Sequence, residues 1–140
     1  MSAAGPSFVP HEAPVSGAQL LVGYQIDLTD PLGTAVLSLD LAEKHQNRNG
    51  TLHGGIHAML LDAAAGFAAS RHLAGRDALI PVQTLSLTTQ FVASVSKGQM
   101  LVRGRVTGGG YKIIYASAEM CDDTGRVVST AMGVFKRVTI

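Results

Sequence analysis

The chain has 140 residues, 46% of them hydrophobic and 15% charged, with a formal net charge of +1. That length holds one domain with a modest core and not two, and a chain this apolar has more surface to hide than a small monomer can, which predicts an oligomer. The near-neutral balance offers no electrostatic case for nucleic acid or an anionic membrane, and the one cysteine, Cys121, excludes an intrachain disulfide and fits a reducing compartment.

Residues 1–17 read as a tail ahead of a single domain over 18–140. The tail has no basic stretch followed by an apolar run, so it is not a secretory signal. The longest apolar run is too short to span a bilayer and carries an aspartate, so a soluble, cytoplasmic protein is expected. From Leu20, the residues Leu20, Val22, Tyr24, Ile26 and Leu28 alternate with Gly23, Gln25, Asp27 and Thr29, which predicts a half-buried strand over 20–28. Asp30-Pro31-Leu32-Gly33 is a turn signal, and Ala35, Leu37, Leu39 and Leu41 mark a second strand. A polar loop from Glu43 to Gly50 leads into a helix over about 54–73, with Gly75 placed to cap its end.

Four more strand patterns follow, at roughly 79–92, 99–107, 111–122 and 126–137. Thr107-Gly108-Gly109-Gly110 joins the middle two, and Asp122-Asp123-Thr124-Gly125 is the hairpin turn before the last. The order is β-β-α-β-β-β-β, without repeats. One helix cannot serve several parallel crossovers, so the four late strands are expected to form an antiparallel meander. The fold class is α+β, with one long apolar helix lying against a curved sheet.

Asp62 stands out inside that helix, in the stretch from Ile56 to Ala69. A helix apolar nearly all round belongs in a core, where an unpartnered carboxylate is costly unless it has work to do. Asp62 is therefore expected to be buried, and to act as nucleophile or as general base for water; the alternative is a structural carboxylate. Gly54 and Gly55 open the helix. Free N–H groups and the positive dipole end would suit a developing oxyanion there, and glycine lets a carbonyl approach the backbone. The alternative is a plain capping turn. His53 and His57 have a spacing that can hold zinc, but no third ligand matches and glycines stand where a glutamate would be needed, so no metal is expected. Gly108-Gly109-Gly110 joins two strands and reads as a hairpin or bulge, not a phosphate loop.

The run Asn47-Arg48-Asn49-Gly50-Thr51-Leu52-His53-Gly54-Gly55, continuing to Leu61-Asp62, resembles the hotdog-fold acyl-CoA thioesterases, most of all those of the phenylacetate-pathway type. The motif is a polar amide, then His-Gly-Gly, then an acidic residue eight positions past the first glycine, and the similarity covers about residues 20–137. It implies a long central helix wrapped by a curved antiparallel sheet of about six strands. It also implies homodimers often paired into homotetramers, and hydrolysis of an acyl-CoA without metal or organic cofactor. Asn47 matches the amide position, where it would hold the reacting water or the thioester carbonyl; Asn49 competes for that role, and either amide can be a turn former. Thr84 lies where related enzymes carry a hydroxyl that binds the attacking water, although β-propensity also explains a threonine there. His53 would orient the loop or support the oxyanion site together with Gly55, and Gly66, one turn after Asp62, would open space for the acyl group. Family members often place a basic residue just after the glycine turn; here Tyr111 intervenes and Lys112 follows. Lys112 and Arg105, with Lys97 and Arg103 behind them, are candidates for the CoA phosphates or solvated surface charges.

These features together predict an acyl-CoA thioesterase with the Gly54 N–H as oxyanion donor. Gly54 and Asp62 are eight residues apart on one helix, about 12 Å at the usual rise, so the active site is expected to be shared between subunits. A hotdog hydratase or dehydratase would need a Pro-Gly helix start that this chain lacks. A catalytically silent acyl-CoA-binding module would sit more easily with a chain lacking Asp62.

Overall fold

A computed structural model describes residues 15–74 and 79–138. Of the expected tail, residues 1–14 lie outside the described ones, as does the expected cap at Gly75. The first described element departs from expectation. Ser16 accepts a hydrogen bond from the Gln19 N–H at 3.0 Å and opens a helix, α1 (Gly17–Val22). That helix ends at Gly23 with φ 88°, a left-handed cap whose N–H bonds the Gln19 carbonyl. The strand predicted over 20–28 therefore shrinks to β1 (Gln25–Asp27). A good cap at each end outweighs an alternating pattern, and the face expected to be inward is only partly so: Val22 and Tyr24 are buried and Ile26 and Leu28 half-buried, while Leu20 is exposed.

The other elements follow the sequence. They are β2 (Ala35–Asp40), a 3₁₀ turn (Glu43–His45), α2 (Gly54–Ala74), β3 (Val82–Phe91), β4 (Gln99–Gly109), β5 (Ile113–Cys121) and β6 (Val127–Arg137). At the β5–β6 turn the Asp122 carboxylate accepts the Thr124 N–H and hydroxyl and the Arg126 N–H, and Gly125 takes φ 86°.

The sheet order is β1-β2-β4-β5-β6-β3, and every neighbour is antiparallel. The expected four-strand meander is thus corrected. Only β4, β5 and β6 form one, β2 stands beside β4, and β3 lies on the far edge beside β6. The helix carries the chain from β2 to that far edge, and the return segment recrosses one end of the sheet. Its steps are visible as hydrogen bonds: the Val92 and Ala93 N–H groups to the Val128 carbonyl, Leu52 N–H to the Val95 carbonyl, and Leu41 N–H to the Gly98 carbonyl. Hydropathy periodicity marks strands but not which edge each one joins.

The core lies between α2 and the inner sheet face. Leu60, Leu61, Ala64, Ala65 and Ala69 meet Leu37, Leu39, Met100, Val102, Ile114, Met120 and Phe135. The many alanines let helix and sheet approach closely, most of all at Gly104, where any Cβ would fall on the Ala64 carbonyl. No helix among the described residues is long and apolar enough to cross a membrane.

Candidate active site

His53 caps α2. Its backbone N–H bonds the His45 carbonyl at 2.9 Å, its carbonyl accepts the Ile56 and His57 N–H groups, and its Nδ1 accepts the Gly55 N–H at 2.8 Å. The last bond explains Gly55: a Cβ there would press on the His53 ring at 3.0 Å. It also engages the Gly55 amide. The Gly54 N–H, by contrast, has no protein acceptor among the described residues, and a Cβ on Gly54 would make only ordinary contact with the Phe91 ring at 3.6 Å. One donor at the positive end of a helix of 21 residues is therefore left open.

The loop before it is held by two side chains. His45 is buried, its Nδ1 accepts the Ala42 N–H at 2.9 Å, and its Nε2–H therefore donates to the Val22 carbonyl at 2.7 Å. The Asn47 Oδ1 accepts from the Asn49 N–H, the Thr51 N–H and the Thr51 hydroxyl at 2.9, 3.1 and 3.2 Å. The turn-forming role open to Asn47 is realised through its oxygen. Those three bonds also fix the carboxamide plane, and its Nδ2 has no protein partner among the described residues. Asn49 is exposed and contributes its backbone.

Two turns along α2, Asp62 departs from the burial expected of it. The sheet covers the helix face that carries Leu61, Ala65 and Ala69, but Ala58, Met59, Asp62, Ala63, Gly66 and Phe67 form a strip only partly covered. Asp62 sits in the middle of that strip and accepts the Thr84 hydroxyl at 2.7 Å. Both residues line a pocket of about 310 Å³ between α2 and the start of β3, with Ala63, Gly66, Phe67, Val82 and Phe135 as apolar walls. Beside it, the Ser70 hydroxyl donates to the Ile80 carbonyl at 2.5 Å.

One chain thus brings together Asp62, Thr84 and Gly66, and separately His53, Gly54, Gly55 and Asn47. The two foremost basic candidates, Arg105 and Lys112, join neither group. Arg105 borders a different cavity with Arg71 and His72, and Lys112 is exposed in the β4–β5 turn, where its carbonyl accepts the Arg137 N–H. His57 acquired a place that sequence did not suggest. It is buried, with Nδ1 2.8 Å from the Ser129 Oγ and its ring edge-on to Phe91 at 5.6 Å, and burial pushes its pKa down. Its partner lies 72 residues away, so no local pattern could disclose it.

One long helix laid across a six-stranded antiparallel sheet is the hotdog arrangement. The sequence profile of the thioesterase superfamily matches residues 49–129, and the chain belongs to that family: it is a hydrolase acting on thioester bonds. A candidate esterase of Pseudomonas aeruginosa is 35% identical over 101 residues, covering 71% of this chain and 72% of that protein. A candidate esterase of Saccharolobus solfataricus is 33% identical over 101 residues, covering 72% of this chain and 69% of its own. Among solved structures, a candidate thioesterase related to phenylacetic acid degradation from Ralstonia eutropha superposes with a TM-score of 0.77 at 24% identity. It covers 89% of this chain and 92% of that one, and shares the fold.

Proposed function

We propose that the protein hydrolyses an acyl-CoA to the free acid and CoA, at sites each built from two subunits and without a metal or organic cofactor. The observation that carries this is the Asp62–Thr84 pair, a carboxylate bonded at 2.7 Å to a hydroxyl on the wall of an apolar pocket. Thr84 and Asp62 hold a water, Asp62 takes its proton, and the water oxygen adds to the thioester carbonyl. The carbonyl oxygen gains the charge and is met by the Gly54 N–H, with the Asn47 amide nitrogen beside it. Collapse breaks the C–S bond, and the proton on Asp62 passes to the departing thiolate. Direct attack by Asp62 would give an anhydride that water opens to the same products.

The oxyanion donor and the carboxylate cannot serve one carbonyl from the same helix. They are about 12 Å apart along the axis, whereas a reacting carbonyl lies about 3 Å from each group. The missing half comes from a second copy. In support, β3 is an edge strand with Leu85 and Phe91 exposed, and the half-covered strip of α2 that carries Asp62 is otherwise apolar. A two-fold dimer across these features makes two equal sites, and such dimers pair into the homotetramer that the family resemblance implies. Arg105 and Lys112 stay as the proposed contacts of the CoA phosphates, reached from outside the pocket. A single cysteine and CoA chemistry fit a cytoplasmic enzyme.

The test is release of free thiol from short, long and aryl acyl-CoAs by the purified protein. Hydrolysis of at least one, cut by about 10²-fold or more in Asp62→Asn, is the expected result; no thiol release from any of them refutes the proposal.

A further inference from the structure

Arg71 stands in the last turn of α2 with only 3% of its surface exposed, a full charge almost withdrawn from water. Its bonding does not match that burial. The two terminal nitrogens reach only the Thr34 and Asp30 carbonyls, each at 3.4 Å, where a strong charge-assisted bond is roughly 2.7–2.9 Å. The Nε–H is buried with no acceptor. Those carbonyls belong to the connection between β1 and β2, so the side chain does not cap its own helix. Among the described residues no carboxylate pairs with it. Asp27 accepts the Thr29 N–H and hydroxyl, and Asp30 the Leu32 N–H. Arg71 lines a cavity of about 340 Å³ with His72 and with Arg105 of β4, and Leu32, Ala68 and Val106 give it apolar walls. No acidic residue lines it among the described residues. The cavity is separate from the Asp62 pocket. Arg71 lies nine residues beyond Asp62, about 13 Å along the axis and half a turn round it, and no residue lines both spaces.

We propose that this cavity is a second ligand site, which takes a phosphate group carried on a small, partly apolar body. Two permanent cations and an imidazole converge on it with no acid between them, a balance that suits a doubly charged phosphate better than a singly charged carboxylate. The buried guanidinium of Arg71 forms the floor, and a phosphate oxygen supplies the acceptor that the two long carbonyl contacts do not. Arg105 and His72, both exposed, close on the group from the mouth. The carboxyl end of α2 carries the negative end of the helix dipole, so the basic side chains and not the backbone must hold an anion there. A phosphate fills only part of the space, and the body attached to it lies against Leu32, Ala68 and Val106. The site goes beyond the hydrolysis proposed above and does not depend on it. Two sources carry such a group, the nucleotide end of a CoA and a free phosphate ester.

The test is calorimetric titration of the full chain with phenyl phosphate, inorganic phosphate, benzoate and CoA, beside Arg71→Met and Arg105→Gln. Ionic strength is matched throughout, at about pH 7.5, where a phosphate monoester carries close to two charges. Phenyl phosphate is expected to bind saturably. It should bind more tightly than inorganic phosphate, which has no apolar body, and than benzoate, which has one charge. Each substitution should weaken phenyl phosphate by at least about 10-fold. Methionine replaces an underbonded buried charge with apolar volume, so Arg71→Met without ligand should melt no lower than wild type. Phenyl phosphate should then raise the melting temperature of wild type and not of Arg71→Met. Should Arg71→Met fail to fold, Arg105→Gln, a change at the exposed mouth, decides the outcome. No saturable binding to wild type, or equal affinity in wild type and the folded variants, overturns the site. Benzoate bound as tightly as phenyl phosphate overturns its assignment to phosphate. Competition identifies the source. Displacement of phenyl phosphate by CoA assigns the site to the nucleotide end of CoA, and CoA that leaves phenyl phosphate bound assigns it to a free ester. Binding is read without thiol release, so a protein that hydrolyses no acyl-CoA but binds phenyl phosphate through Arg71 overturns the proposed activity and not this site.

Discussion

Mixing two inactive variants tests the shared site most directly. Asp62→Asn removes the charge while leaving an oxygen to accept the Thr84 hydroxyl, and it disables the attacking half. Gly54→Val disables the oxyanion half: the Cβ itself fits 3.6 Å from Phe91, and the two further methyls crowd the space in front of the open N–H. If one site takes Gly54 from one subunit and Asp62 from the other, a heterodimer collects both lesions in one site and neither in the second. Random pairing of equal amounts gives about half heterodimers, each with one intact site of two, so roughly a quarter of wild-type activity should return. The assay is thiol release after subunit exchange under mild denaturant, with exchange followed by native mass spectrometry. Confirmed heterodimers with no recovered activity would refute the shared site, and with it the reading of a 12 Å separation along the helix, about two turns, as too long for one carbonyl.

Three further outcomes are expected. Asp62→Asn alone should keep the melting temperature or raise it slightly and cut turnover by about 10²-fold or more, measured as steady-state hydrolysis beside a melting curve. Asn47→Ala should cost about 10-fold to 10³-fold in kcat, whereas Asn49→Ala should cost little, because the side chain of Asn49 bonds nothing in the loop; the reverse pattern would reassign the amide. Burial holds the His57 pKa below its ordinary value of 6.5, so the folded state prefers neutral imidazole and the unfolded chain binds more protons below that point. Stability is then fully present above about pH 6.5 and declines as the pH falls towards the folded value, so urea midpoints between about pH 7.5 and 5.5 should drop more steeply in wild type than in His57→Gln. Parallel slopes would remove His57 from the titration.

The helix was legible because the largely apolar stretch from Ile56 to Ala69, between a His-Gly-Gly start and a glycine, has few other folds to adopt, and the late strands were legible from their alternation. Residues 20–22 were misread as strand because the period-two spacing of Leu20 and Val22 says nothing of the helix cap at Ser16. The edge position of β3 was hidden for a different reason: it depends on where a 21-residue helix sets the chain down, which is a property of packing and not of the strand. At the site, Asp62 was found through its misfit with its neighbours. Its partial exposure was not, since a strip left open by the sheet has the same composition as one that is covered. The capping role of His53 was near the surface of the motif, whereas the His57–Ser129 pair, joining a helix to a strand far along the chain, leaves no trace in spacing.

Gly104 sets the height of α2 above the sheet by backbone meeting backbone, with no side chain between them. A seat of that kind does not vary when residues elsewhere on the helix are exchanged. The open strip around Ala63, Gly66 and Phe67 can therefore change its side chains while Gly54 and Asp62 keep their places relative to β4. A fixed bearing on one side of a helix and a replaceable lining on the other let the pocket walls change without moving the helix on its sheet.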